Sequence, residues 1–300
     1  MDASLGLHES GLKYRVPSRL ALIGSRPCLI DLLRLLGTDS DVPGAAADLP
    51  LVLRQLHAGD ALFHEGAHAD AVYFVRAGTF KTFCTAEDGY EQVLGFCGRT
   101  EVLGFDAICM GSHPTAAVAL EDSSVYVLPV RDVFELGRRV PGLDRAIATA
   151  VSRALTYRAE LAEVMAAVAA EVRLARFLVR LSQRMQACGQ SPRRLRLRMS
   201  RRDIASHLGV AHETVSRAFH ALSDAALVQV SNREVEIVDM HELKVFARAT
   251  RRPTDDAEHL DHAVHAGGCE GAVRNALDGR DRTPGPALRP RARVAAELTA

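Results

Sequence analysis

The sequence of 300 residues lacks the features that mark several large classes of protein. Its 37 Lys and Arg residues balance 37 Asp and Glu residues, so any affinity for nucleic acid must come from local charge. No apolar run reaches the roughly 18 residues that cross a bilayer, and the N-terminus lacks the basic start and apolar core of an export signal. These absences predict a globular protein of about two domains that stays in the cytoplasm.

The cysteines form no recognisable framework. The six of them, at positions 28, 84, 97, 109, 188 and 269, include no Cys-x-x-Cys pair and no short regular spacing. In a reducing compartment this pattern argues against structural disulfides and against a closed zinc site. We interpret the thiols as buried or idle, with a redox-sensing thiol as the alternative.

Tryptophan is absent, and the other aromatic residues are few and unevenly placed. Ten of the fifteen Phe and Tyr residues fall between Phe63 and Phe134. In that window short apolar runs at 71–75, 80–83, 92–96 and 124–130 alternate with turn signals, most of which contain glycine. Such strands predict a small antiparallel barrel or roll, which we place at residues 31–138 after an N-terminal extension of residues 1–30.

The period of the apolar residues changes after Pro141. Eight positions follow alternating spacings of four and three residues, which is the heptad seam of a coiled coil. The seam predicts that a helix at residues 139–170 pairs with its copy in a homodimer, and a helix packed on its own β-domain is the alternative. The seam residues are Leu143, Ile147, Ala150, Ala154, Tyr157, Leu161, Val164 and Val168. A second helix is predicted at 172–187.

Local charge and composition divide the rest of the chain. Between Glu171 and Arg202 there are ten arginines and one acidic residue, a basic block that suits a phosphate backbone. Residues 249–300 contain no aromatic residue and are rich in Ala, Arg, Pro and Asp, so we expect a disordered tail there.

Residues 200–219 carry the most informative pattern. Ser200 can cap a first helix with Asp203 in the capping box, and Gly209 suits the tight turn before a second helix. The turn signal at 231–233 then separates two strand-like runs, which predicts a winged helix-turn-helix at residues 171–248. The outer face of the second helix presents side chains that can bond base edges in the major groove. The predicted DNA-binding residues are Glu213, Ser216, Arg217, His212, Thr214, Ser200 and Arg202.

A β-roll, a long helix and a C-terminal winged helix together resemble the CRP/FNR superfamily of bacterial transcription regulators, over about residues 30–248. Several motifs are similar to the fumarate and nitrate reduction regulator branch: Gly95-Phe96, Gly104-Phe105-Asp106-Ala107-Ile108, His113-Pro114, Ser191-Pro192-Arg193 and Glu213-x-x-Ser216-Arg217. The resemblance implies a homodimer whose Glu213, Ser216 and Arg217 read half-sites similar to TTGAT in an inverted repeat. It also implies that the loop at 85–91 faces RNA polymerase.

The chain departs from the superfamily's two best-defined ligand sites. Oxygen-sensing members hold an iron–sulfur cluster with a close run of N-terminal cysteines plus one in the roll, but here only Cys28 lies near the N-terminus and Tyr126 takes the roll position. Cyclic-nucleotide binders carry an arginine for the phosphate, where this chain has Pro114-Thr115. We therefore expect neither an iron–sulfur cluster nor cyclic AMP. A haem- or thiol-based sensor is the alternative, with candidates His57, His64, Cys97 and Cys109.

One motif points to an enzyme instead. His64-Glu65-Gly66-Ala67-His68 matches the H-E-x-x-H pattern, in which two histidines one helical turn apart hold zinc and the glutamate activates water. The chemistry requires a helix, and Gly66 with its flanking turn and strand signals argues against one. We therefore predict an α+β regulator with no catalytic residues and no metal site, with a zinc hydrolase as the alternative from another class.

Overall fold

The computed structural model describes residues 27–38 and 49–249. The predicted tail beyond residue 249, and the predicted extension before residue 27, lie outside the described residues. The helices are α1 Leu29–Leu36, α2 Val130–Arg139, α3 Pro141–Met165, α4 Ala170–Ala187, α5 Arg201–Leu208, α6 His212–Asp224 and α7 Met240–Arg248. The strands are β1 Val52–Leu56, β2 Ala61–Phe63, β3 Ala71–Ala77, β4 Phe80–Thr85, β5 Glu91–Cys97, β6 Val102–Leu103, β7 Ala116–Ala119, β8 Ser123–Pro129, β9 Arg194–Arg196, β10 Val228–Ser231 and β11 Glu234–Ile237.

The first eight strands form a roll of two antiparallel sheets, with strand orders β1-β8-β3-β6 and β2-β7-β4-β5. Apolar side chains fill the space between the sheets, among them the fully buried Val75, Phe80 and Val125. The four strand-like runs in the sequence correspond to β3, β4, β5 and β8. The predicted α+β class with an N-terminal antiparallel roll is confirmed.

The N-terminal half of α3 packs on the roll of its own chain. Leu143 and Ile147 belong to one buried cluster with Leu32 of α1, Phe74 of β3 and Leu128 of β8. The heptad period is therefore used here to cover a β-sheet, as in the alternative stated for this helix.

Helix α3 ends at Met165, five residues before the predicted boundary at 170. The bend that follows leaves Val168 71% exposed, and the Arg173 guanidinium donates to the Ala167 carbonyl (Nε to O, 2.8 Å). This bond satisfies a carbonyl that has no helical partner, so an arginine and not a glycine or proline stabilises the break. The inclusion of Val168 in the helical seam was wrong.

The C-terminal domain has a core of its own that continues into the roll. Ile204, Val215 and Leu222 of the helix-turn-helix pack with Leu178 of α4, and strands β9, β10 and β11 form a three-stranded antiparallel sheet beside them. Phe83, Val93 and Phe96 of β4 and β5 belong to the same buried cluster. Among the described residues no helix combines the length and the apolar character needed to span a bilayer.

Candidate nucleic-acid interface

Helix α5 begins with the predicted capping box. Ser200 Oγ accepts a hydrogen bond from the Asp203 amide (3.1 Å), and Asp203 Oδ2 accepts one from the Ser200 amide (2.9 Å). The helix ends at Gly209 in the left-handed conformation (φ +62°), where an added Cβ would lie 2.6 Å from the Met165 methyl group. The positive φ favours glycine at this turn, whereas the Met165 methyl is the end of a flexible side chain and could move aside.

Helix α6 turns an apolar face inward and a polar face outward. Val215, Ala218, Phe219 and Leu222 are buried, whereas His212, Glu213 and Arg217 are exposed and Thr214 and Ser216 are half-buried. No side-chain hydrogen bond or ion pair to another described residue occupies Glu213 or Arg217. Both side chains are therefore exposed and unpaired within the described part of the chain.

A basic cleft lies between the start of α5 and the wing formed by β10 and β11. It is lined by Leu197, Met199, Ser200, Arg201, Arg202, His212, Asn232 and Arg233. The Arg201 guanidinium lies 3.5 Å from the centre of the Phe219 ring and donates to the Asn232 carbonyl (Nη2 to O, 3.2 Å). Arg201 thus joins α5, α6 and the wing tip, a role that the sequence analysis missed because an arginine in a basic block looks like a surface charge.

Nine of the ten arginines of the basic block bond groups of their own chain, five of them outside α4. Arg173, Arg176, Arg180 and Arg184 of α4 bond carbonyls or carboxylates of their own chain. Arg202 makes no side-chain hydrogen bond or ion pair within the described part of the chain. The prediction of one continuous phosphate-binding block is therefore too broad, since α4 uses its arginines to hold the fold together.

Two family models match the chain: a Crp-like helix-turn-helix domain over residues 172–246 and a cyclic nucleotide-binding domain over residues 53–139. The transcriptional activator protein Anr of Pseudomonas protegens is 38% identical over 194 residues, which cover 65% of this chain and 80% of that protein. The fumarate and nitrate reduction regulatory protein of Escherichia coli is 33% identical over 198 residues, or 66% of this chain and 79% of that protein. The chain belongs to the CRP/FNR family.

A solved structure agrees with this family at the level of the fold. FixK2 from Bradyrhizobium japonicum superposes with a TM-score of 0.60 at 24% identity, covering 67% of this chain and 99% of that one. The CRP/FNR regulator described here is a DNA-binding transcription regulator, and the resemblance to the fumarate and nitrate reduction branch is confirmed. These relatives are transcription regulators and not enzymes.

The predicted dimer seam of this CRP/FNR regulator divides into three parts. Leu143, Ile147, Ala150 and Val164 are buried within their own chain, Ala154, Tyr157 and Leu161 are half-buried, and Val168 lies beyond the helix. The opposite face of α3 is exposed and also follows spacings of four and three, at Ala148, Ser152, Leu155, Ala159 and Ala162. The opposite face is therefore more exposed than the predicted seam, of which Ala154, Tyr157 and Leu161 keep part of their surface exposed.

Aromatic side chains line the centre of the roll. The His113 ring stacks on Phe63 with centroids 3.8 Å apart, and burial lowers the pKa of His113. Asp106, on the 3₁₀ turn Phe105–Ala107, accepts a hydrogen bond from Arg158 of α3 (Nη2 to Oδ2, 2.6 Å). The 3₁₀ turn of the roll is thus joined to the long helix by an ion pair.

The candidate sensor residues lie apart in the fold. His57 is exposed beside Asp122 (Nδ1 to Oδ1, 3.3 Å), and Cys109 is exposed after the 3₁₀ turn. Burial raises the pKa of the Cys97 thiol to about 12, which keeps that thiol protonated and unreactive at neutral pH.

The H-E-x-x-H motif of the zinc-hydrolase alternative does not lie on a helix. His64 lies in a loop before a turn at Glu65 and Gly66, with Gly66 at φ +76°, and His68 follows in an isolated bridge to Ser112. Without a helix the two histidines do not share a face, and Glu65 accepts a hydrogen bond from the Thr85 amide (2.9 Å). No group of three or more potential metal ligands occurs among the described residues.

Proposed function

We propose that this regulator binds an inverted repeat with TTGAT-like half-sites through Glu213, Ser216 and Arg217. The observation that carries the proposal is the outward face of α6, where Glu213 and Arg217 are exposed and have no partner among the described side chains. Arg217 can bond the N7 and O6 acceptors of a guanine, and Glu213 can accept from a cytosine amino group. Ser216 reaches a base or a phosphate from the same face.

The basic cleft beside α6 supports contacts to the phosphates that border the DNA major groove proposed to hold α6. Ser200 and Arg202 stand at the start of α5, and Arg233 and Asn232 face them from the wing. Thr214 and His212 lie at the first turn of α6, where backbone amides favour an anion. We assign these side chains to the DNA backbone, which positions the protein without selecting a sequence.

A binding titration at fixed salt tests this assignment. The protein is titrated against a TTGAT-type inverted repeat and against a scrambled duplex of equal length. We expect tighter binding to the inverted repeat by at least about 1,000-fold, which is the usual margin of specific over non-specific binding. Equal affinities would reject the half-site.

The dimer is proposed to form along the exposed face of α3. Leu155 is 62% exposed at the centre of a stripe of small residues, and small side chains let two helices approach closely. Two-fold symmetry would then place the two α6 helices in successive major grooves, about 34–36 Å apart.

Light scattering on two variants distinguishes the two faces of α3. Leu155→Glu is expected to give monomers, because it introduces a charge at the centre of the seam. Thr149 is exposed beside the stripe of small residues, so Thr149→Glu is the matched control and should leave the dimer intact. A dimer in both variants would contradict this seam.

The sensing signal is proposed to act through the join between roll and long helix. Asp106 belongs to the roll, and Arg158 belongs to the helix that carries the proposed dimer face. A signal that moves the 3₁₀ turn would change this ion pair and so favour one arrangement of the two long helices. Asp106→Asn should change DNA affinity at a fixed dimer concentration. An unchanged affinity would show that the Asp106–Arg158 ion pair does not transmit the signal.

The hairpin between β4 and β5 is proposed to contact RNA polymerase. Its loop at 85–91 is exposed, and Tyr90 is half-exposed at the end of it. Tyr90→Ala is expected to reduce activated transcription in vitro while leaving DNA affinity unchanged. A variant with full activation would contradict this contact.

A further inference from the structure

Within the described residues strand β5 is the edge of its sheet, so one row of its backbone groups has no neighbouring strand there. Helix α5 of the DNA-binding domain lies against this edge. The Ser206 hydroxyl donates to the Glu91 carbonyl (2.7 Å) and accepts from the Val93 amide (2.8 Å). A hydroxyl can donate and accept at once, so one buried serine satisfies two groups that a further strand would have paired.

Two polar contacts flank this serine. Gln92 Nε2 donates to the Ser206 carbonyl (2.9 Å), and Lys81 Nζ lies between Glu91 (2.6 Å) and Asp203 (3.1 Å). Burial disfavours the charged form of both partners, but the pKa of Lys81 is raised by the two carboxylates, and the pKa of Asp203 is lowered by Ser200 and Lys81. Both groups are therefore charged at neutral pH and hold the first turn of α5 to the roll.

Next to Ser206, apolar contacts of His207 also hold α5 to the roll. The His207 ring lies 5.1 Å from the Phe96 ring of β5 and 5.6 Å from the Phe177 ring of α4, measured between centroids. The roll thus holds α5 by hydrogen bonds, an ion pair and aromatic packing, while the base-reading face of α6 stays exposed.

We propose that Ser206 is a positioning residue for DNA binding, which fixes the helix-turn-helix against the edge of the sensor roll. The inference rests on the proposed dimer and its inverted repeat. Two recognition helices must meet successive major grooves together, and a docked domain has already lost the orientational freedom that a loose domain must lose on binding. Loss of the Ser206 hydroxyl leaves the Glu91 carbonyl and the Val93 amide without their partner, so undocked states gain population.

The test compares full-length variants on duplexes whose half-sites differ only in spacing. Selection from random DNA with the wild-type protein supplies the first duplex, and a second one adds half a helical turn, about five base pairs, between the half-sites. The variants are Ser206→Ala and Lys81→Met, with Lys81→Arg as the conservative replacement. The matched control is Ser182→Ala, because Ser182 is equally buried and bonds the Pro192 carbonyl (2.5 Å) inside the DNA-binding domain.

We expect Ser206→Ala and Lys81→Met to bind the correctly spaced duplex about tenfold more weakly and to discriminate less between the two spacings. Amide exchange at Val93 should accelerate in Ser206→Ala but not in Ser182→Ala. Lys81→Arg should restore most of the discrimination.

If Ser206→Ala and Lys81→Met discriminate between the two spacings as well as the wild type does, the proposal is overturned. It is also overturned if Ser182→Ala loses as much discrimination as Ser206→Ala. A wrong half-site would appear separately, as a selected sequence unlike TTGAT, and would not affect the comparison among variants. Failure of the wild type to select any sequence would reject the proposed function and this inference together.

Discussion

Helices α5 and α6 are neighbours in the same motif, yet α5 turns some of its polar side chains toward the roll and α6 turns its polar face outward. Asp203 and Ser206 of α5 are bound to strand β5 and to Lys81 of the roll, whereas Glu213 and Arg217 of α6 are exposed. The difference shows that a polar residue in a helix-turn-helix cannot be assigned to DNA by its position alone. Changes on the docked side should alter stability or geometry, and changes on the exposed side should alter base choice.

The largest effect is expected where α4 of the DNA-binding domain meets the roll, at the mostly buried ion pair of Arg184 and Glu101. Arg184 Nη2 donates to both Glu101 oxygens (2.5 Å each) and to the Phe96 carbonyl (2.6 Å), and the guanidinium lies 4.5 Å from the Tyr157 ring centre. Glu101→Gln leaves a mostly buried cation without its carboxylate, so we expect a loss of about 3–4 kcal/mol in urea unfolding.

The exposed pair of Arg139 and Glu135 is the control for this change (2.8 Å). Glu135→Gln should cost less than about 0.5 kcal/mol, because exposed pairs one helical turn apart contribute little. If the two variants lose similar unfolding free energy, the Arg184–Glu101 pair does not stabilise the fold as a buried pair. If Glu101→Gln changes the base preference, residues that hold the domain to the roll also affect base choice.

A second effect on the docked side depends on pH. Burial among Phe96 and Phe177 lowers the pKa of His207 from 6.5 to about 4, with a smaller effect from Arg184 and an opposing hydrogen bond to the Val93 carbonyl. Between pH 6.5 and 4 the unfolded chain binds a proton at this site and the folded chain does not. Stability should therefore fall as the pH falls through this window, by about 3 kcal/mol in total.

His207→Gln removes this titration and should flatten the acid limb of the stability curve. His220→Gln, on the exposed face of α6, serves as the control and should leave the limb unchanged. An acid limb of wild-type steepness in His207→Gln would show that the loss of stability has another source.

The smallest effect is expected at Arg202, on the exposed side but away from the base-reading residues. Arg202→Ala should weaken binding to all sequences alike by about 1 kcal/mol or less, and should reduce the salt dependence by about one phosphate contact. Titrations at several salt concentrations measure both quantities. A change in sequence preference would move Arg202 into the base-reading group.

The sequence predicts the exposed face of α6 but not the contacts that hold α5 to the roll. The capping box of Ser200 and Asp203, the turn at Gly209 and the outward face of α6 follow from local rules of spacing, and the structure places these residues as predicted. The role of Ser206 could not be predicted, because in the sequence a serine that bonds the edge of a distant strand cannot be distinguished from a surface serine.

The long helix shows the same limit in another form. Two faces of α3 follow the heptad spacing, one with Leu143 and Ile147 and the other with Leu155 and Ala162. Spacing cannot say which face covers the roll of the same chain, since that depends on tertiary contacts with Phe74 and Leu128.

The central claim is that α6 reads base edges with an exposed face, and Arg217→Ala tests it most directly. Affinity is measured for the selected duplex, for its single-base variants and for a scrambled duplex, at one salt concentration. We predict a loss of about 1–3 kcal/mol on the selected duplex, relaxed choice at one base pair of each half-site, and no change in the unfolding midpoint. An equal loss on selected and scrambled DNA would contradict the claim, because it would make Arg217 a phosphate contact.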